Sequence, residues 1–170
     1  PKKNGYSFIG WTTSDNKEPK IDYKISTGSI GDKELTANYE PIAYYISYNS
    51  SEGQGEMEKQ EFAYNQTSKL NKNQFTKEGY TFIGWSTSID GDVMFNDESE
   101  ISNLSSKDKD VITLYAKWEI NSYKLTINDG INTNEYTLKY NDEKEIVIPE
   151  RKGYSFVKWN ITGTDSKETR

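Results

Sequence analysis

The side chains best placed to do chemistry in this chain are the acidic ones of the stretch from Asp90 to Glu100, DGDVMFNDESE. Asp90, Asp92, Asn96, Asp97, Glu98 and Glu100 gather oxygen donors in one polar loop, and calcium is the ion that hard oxygen donors suit. Asp90, Asp92 and Asp97 are the weak candidates for such a site. An EF-hand loop, however, has glycine at its sixth position and glutamate at its twelfth, and this stretch has neither. A solvated turn is the simpler reading, so no metal is expected. Paired carboxylates can also hydrolyse glycosides. Here Glu56, Glu58 and Glu61 lie beside Lys59 with no pocket implied, and two carboxylates at a suitable distance occur on any acidic surface, so no enzyme is expected.

Two residue types are missing altogether. Without cysteine the chain has no disulfide framework and no thiolate metal site, and without histidine it lacks the usual general base near neutral pH. Together these gaps remove the commonest zinc ligands and the Ser-His and Cys-His nucleophilic pairs, and no cofactor is expected. A lysine-to-asparagine isopeptide bond needs a buried Lys, Asn and acid, and no spacing here identifies that trio. The remaining chemistry is stacking on a sugar. Tyr45, Tyr64 and Tyr115 are candidates, since Tyr45 and Tyr115 alternate out of phase with Tyr44, Ile46, Leu114 and Ala116 and so face the other side of a sheet. The competing reading packs those rings against a neighbouring module or over a thin core.

The elements that must carry these residues are set by a repeat. GYTFIGW, Gly79 to Trp85, has near copies in GYSFIGW from Gly5 and GYSFVKW from Gly153, each 74 residues away. A fixed period of this size is the signature of tandem modules. Strict alternation puts Tyr80 and Phe82 on one side of a strand and Ile83 and Trp85 on the other, which predicts a central strand covered on both faces. The leading glycine suits a turn with positive φ, and Gly84, like Gly10, suits a bulge or a neighbour packed on bare backbone. The third copy has Lys158 there, so that requirement is not absolute.

A second motif, ELTANYE, returns as TLYAKWE, with Leu35, Ala37 and Tyr39 matching Leu114, Ala116 and Trp118 at an interval of 79 residues. The extra length falls in the loop between the motifs, as insertions do. Tyr44, Ile46 and Tyr48 alternate, as do Tyr123, Leu125 and Ile127, and each run leads through a polar turn to QEFAYN or YTLKYN, a plausible hairpin. Leu70 and Phe75 follow. Glu98 to Ser106 allows at most a turn or two of helix. The expected organisation is 1–41 as the second half of one repeat, 42–119 as a complete module, and 120–170 as the opening part of a third. The junction falls at Glu40 to Ala43, where Pro41 cannot donate to a ladder and the connector is too short to be a hinge. Tyr80, Phe82, Trp85, Leu114, Ala116 and Trp118 are the expected core of the central module.

Composition agrees with small, aromatic-dependent modules. Only 32% of residues are hydrophobic while 14% are aromatic, so a few large rings stand in for many aliphatic side chains. A net charge of -6 argues against nucleic acid and anionic membrane as partners. No apolar run approaches the roughly 18 residues of a membrane helix, so no membrane insertion is expected in this stretch. No signal peptide opens the chain; beginning at Pro1 in mid-repeat, it reads as an excerpt of something longer.

The run from Gly53 through FAYN, LNKNQF, KEGYTFIGWSTSIDGDV and ISNL to TLYAKWE resembles the Listeria-Bacteroides repeat, a module related to the B repeats of internalins, over essentially the whole chain. The resemblance implies β-rich, all-β to α+β modules of about 75 residues, β-grasp-like and with little helix, in exported proteins of the bacterial cell surface or cell wall. It further implies a stalk or spacer role or a part in adhesion, and no catalytic residues. The expected partners are the neighbouring repeats, with a host glycan or protein bound through the exposed tyrosines as the alternative.

Overall fold

A computed structural model describes residues 1–163; the last residues of the expected 120–170 segment lie outside the described residues. Ten strands follow in order: β1 (Tyr6–Thr12), β2 (Thr36–Pro41), β3 (Ala43–Asn49), β4 (Gln60–Ala63), β5 (Ser68–Lys69), β6 (Tyr80–Ser86), β7 (Glu100–Ile101), β8 (Val111–Ile120), β9 (Ser122–Asn128) and β10 (Thr133–Lys139). There is no helix among the described residues. The segment Glu98–Ser106, which allows at most a turn or two of helix, forms β7 followed by loop, because Ile101 pairs with Ser68 and drops its side chain into the core. The chain divides into two compact units, Pro1–Asn121 and Ser122–Arg170.

The first unit holds a four-stranded sheet of order β4-β3-β8-β6 and a two-stranded β1-β2 sheet. β3 and β8 are parallel at the centre, with β4 and β6 antiparallel outside them. β6 is therefore an edge strand and not a central one, and it is protected in another way. The loop after it turns back so that the Trp85 N–H donates to the Phe95 carbonyl at 2.7 Å and the Met94 N–H to the Trp85 carbonyl at 2.8 Å, closing the edge. The first copy repeats the device, with Trp11 and Lys20 exchanging backbone bonds of 2.8 and 3.0 Å.

Register corrects the facing of the GW motif. Phe82 pairs with Trp118, Gly84 with Lys117 and Trp85 with Ala116, so Ile83 is the extra residue of a bulge. The bulge turns Trp85 onto the same face as Phe82, their ring centroids 4.9 Å apart, and leaves Ile83 41% exposed while Trp85 is fully buried. Gly84 has φ 139, and a Cβ there would lie 2.6 Å from the Phe95 carbonyl oxygen and from Val93 Cγ1. Both predicted reasons for glycine thus hold at once. The same shift occurs between Phe8 and Gly10 in β1.

Beneath one face of the sheet lie Tyr44, Ile46 and Tyr48 of β3, Phe62 of β4, Trp85, Leu114 and Ala116, closed off by Leu70, Phe75 and Ile101 from the connecting segments. Trp85 is the hub, with the rings of Tyr48, Phe75 and Phe82 at 5.0, 6.1 and 4.9 Å. Its Nε1 has no hydrogen-bond partner among the described residues. The half-buried Trp118 packs on Phe82 and donates from Nε1 to the Ser50 carbonyl at 2.8 Å.

In the second unit β9 and β10 form a hairpin from Ser122↔Lys139 to Asn128↔Thr133. Its turn is held by Asp129, whose carboxylate accepts the N–H groups of Asn132 and Ile131, bonds that hold its pKa below the usual value. The third GW copy, 153–159, forms no strand, with Tyr154 and Val157 exposed. It has Lys158 in place of the bulge glycine, and no LYAKW counterpart follows it in these 170 residues. Lys158 is therefore no exception to the glycine rule, since no bulge forms around it. One local feature persists in all three copies. The N–H of Tyr6, Tyr80 or Tyr154 closes a turn onto Lys3, Lys77 or Arg151 at 3.1, 3.1 and 3.0 Å, and that cation lies over the tyrosine ring at 3.8, 4.7 and 4.1 Å. The glycine between them has φ 73, 74 and 82, as a type II turn demands.

Candidate functional site: the joint between repeat copies

Side chains from two copies meet at the passage from β2 to β3. Pro41 ends one strand and Ala43 begins the next, leaving Ile42 as the whole connector. Ile42 is tied on both sides: its N–H donates to the Gly5 carbonyl at 3.1 Å and its carbonyl accepts the Tyr64 N–H at 2.9 Å, while its side chain is buried in the core. The Tyr64 ring covers Gly5 so closely that a Cβ at Gly5 would overlap ring carbons. Tyr64 also meets Tyr6 edge-on at 5.7 Å, and its hydroxyl accepts a long 3.4 Å bond from Asn4 Nδ2. A rigid backbone stitch and a ring seated on a bare glycine thus fix the turn before β1 against the end of β4, within one compact unit. The equivalent connector residue one repeat later, Asn121, makes the same backbone bond, to the Gly79 carbonyl at 2.8 Å.

The other tyrosines are arranged differently. Tyr45 and Tyr115 are half-buried on the sheet face opposite the core, with Ser47, Thr113 and Lys117. Tyr45 pairs with Val111 and Asn49 with Tyr115, so the two rings are offset by four residues, roughly 13 Å along the strand. That is too far for both to cap one sugar ring. Lys59 Nζ lies 4.5 Å from the Tyr45 ring centroid. Tyr64 belongs to the joint and not to this face.

The acidic loop is spread out. Asp90 and Asp92 are exposed, while Asp97 accepts the Asn73 N–H at 2.8 Å and so braces the segment between Leu70 and Phe75. Among the described residues no group of three or more carboxylates, His or Cys is placed to hold a metal.

Of the six expected core residues, Trp85, Leu114 and Ala116 are buried, and Tyr80, Phe82 and Trp118 are half-buried along the β6–β8 seam. Leu70, Phe75, Ile101 and the β3 side chains complete the core. The alternation of Tyr44, Ile46 and Tyr48 was the available signal for β3; for Ile101, on a strand of two residues, no sequence pattern exists. The buried phenols of Tyr44 and Tyr48 are pushed above their ordinary pKa, chiefly by desolvation. Tyr48 donates to Gln60 Oε1 at 2.6 Å and accepts the Asn71 N–H at 3.1 Å. The Tyr44 hydroxyl faces the backbone of Asn103 and Leu104 without closing a well-formed hydrogen bond.

Several curated proteins are similar to this chain. The chain is 27% identical over 92% of its length to a putative Gly-rich membrane protein and 30% identical over 74% to a putative membrane protein, both of Evansella cellulosilytica. It is 36% identical over 49% of its length to internalin H of Listeria monocytogenes. It spans only 19%, 19% and 15% of those proteins. No solved structure matches it. No helix among the described residues is long and apolar enough to cross a membrane. The Listeria-Bacteroides repeat domain matches residues 1–38 and again 44–117, the two stretches in which a bulged GW strand pairs with a following strand. By that match the chain belongs to the Listeria-Bacteroides repeat domain family.

Proposed function

We propose that this chain is a non-catalytic repeat segment of a bacterial surface protein, outside the cell, where it serves as a spacer that holds successive modules at a fixed angle. The observation that carries the reading is the joint. A one-residue connector pinned by Gly5 and Tyr64 leaves no freedom for a hinge, and a stack of such modules gains length in proportion to copy number. Relatives named as membrane proteins and as an internalin support the location. The parallel central pair flanked by antiparallel strands supports a β-grasp-like module. Small-angle scattering on arrays of increasing copy number tests the spacer. Linear growth of the radius of gyration is expected, and growth as the square root of copy number would overturn the reading.

The open sheet face favours a second role, adhesion to a host glycan or protein through Tyr45 and Tyr115. Binding in a glycan or host-protein screen that disappears in a Tyr45→Ala, Tyr115→Ala variant is the expected sign. Binding that survives both changes removes this face from the account.

A further inference from the structure

Tension applied to a tandem array has a defined route through the module. It enters at the first strand, β3, and leaves at the last, β8, because single residues, Ile42 and Asn121, join these to β2 and β9. Those two strands are direct neighbours, parallel from Tyr45↔Val111 to Asn49↔Tyr115. The start of β3 and the end of β8 consequently lie at opposite ends of the sheet. We propose that the β3–β8 pair is a shear clamp that makes each module a load-bearing link, which rests on and deepens the spacer reading.

The physical argument concerns how bonds share a load. When parallel neighbours are pulled from opposite ends, the force runs along the strands and every rung between them is loaded together. When antiparallel neighbours are pulled from one end, the rungs open in turn and each bears the load alone. The ladder here is extended at its origin by Tyr45 N–H to the Asp110 carbonyl at 2.8 Å and Lys109 N–H to the Ala43 carbonyl at 2.7 Å. Tyr44, Ile46 and Leu114 are fully buried beneath it, which keeps water from replacing the strained bonds on that side. Sliding offers no escape, since a slip of one residue would turn those side chains out of the core. Residues 50 to 110, including β4 to β7, lie off the route and carry no load until the clamp fails.

The chain has no cysteine, so introduced pairs are unique attachment points for single-molecule pulling on the whole chain. Glu40→Cys with Ser122→Cys loads the clamp in shear. Thr81→Cys with Glu119→Cys peels β6 from β8, whose pairing there is antiparallel. A second peeling pair, Glu40→Cys with Gln66→Cys, separates β4 from β3, because β4 ends beside the start of β3 and both attachments lie at that end. All five positions are exposed, and an unchanged melting temperature verifies each fold. At one loading rate the shear pair should resist a severalfold higher force than either peeling pair. Equal forces, or a weaker shear pair, overturn the clamp. Linear scattering growth with equal forces would leave the spacer standing without it, and square-root growth with a severalfold force difference would do the reverse.

Discussion

Trp85 shows how much of this module's stability is vested in single rings. Its side chain is fully buried against Tyr48, Phe75 and Phe82, so Trp85→Ala should cost about 3–5 kcal/mol in chemical denaturation. A value under about 1 kcal/mol would contradict its burial. The two buried phenols differ in their partners. Tyr48→Phe removes a donor to Gln60 and an acceptor for Asn71 and should cost about 1 kcal/mol. Tyr44→Phe loses no well-formed bond and should cost less. Both phenols are raised above 10.0 in the folded protein, chiefly by burial. Below pH 10 the folded and unfolded states alike keep these protons. Above it the unfolded chain releases them first, so the native state binds more protons and stability falls as pH rises through the folded values. Melting temperature should drop above pH 10, and a Tyr44→Phe, Tyr48→Phe variant should drop less.

Strands take their positions here from two glycines that do different work. At Gly84 the backbone supplies a bulge at φ 139 and a surface on which Val93 and the Phe95 carbonyl rest. Gly84→Ala should cost about 1–3 kcal/mol, read from the urea midpoint, since it meets strain and overlap together. At Gly5 the obstacle is the Tyr64 ring. Gly5→Ala should abolish the slow amide exchange of Ile42, whose N–H rests on the Gly5 carbonyl. Gly28 has an equal need for positive φ, at 84, but nothing within 4 Å, so Gly28→Ala should leave Ile42 protected. That contrast separates the joint from the general cost of alanine at positive φ.

For the whole molecule the distribution of buried side chains is uneven. All the buried hydrophobic residues among those described fall between Ile42 and Ala116, and Ser122–Arg170 contributes a hairpin with none. An isolated hairpin is marginally stable in water. Amides of β9 and β10 should therefore exchange far faster than those of β3 and β8, as hydrogen exchange by mass spectrometry would show. Comparable protection in both units would mean that the hairpin draws stability from contacts beyond its own.

The chain by itself determined the repeat, the strands and the family, because those rest on local periodicity: the 74-residue spacing, the alternation of Tyr44, Ile46 and Tyr48, and the pairing of GW with LYAKW motifs. It also marked Gly79 and Gly84, since few residues tolerate their backbone angles. Only the tertiary structure decided that β6 lies at the edge, that Trp85 shares a face with Phe82, and that Tyr64 locks onto Gly5. Strict alternation carries no notice of a bulge, which inverts every facing beyond it. Sheet order and the Gly5–Tyr64 contact join residues far apart in the chain, and such meetings are settled by packing among strands and not by any pattern within one.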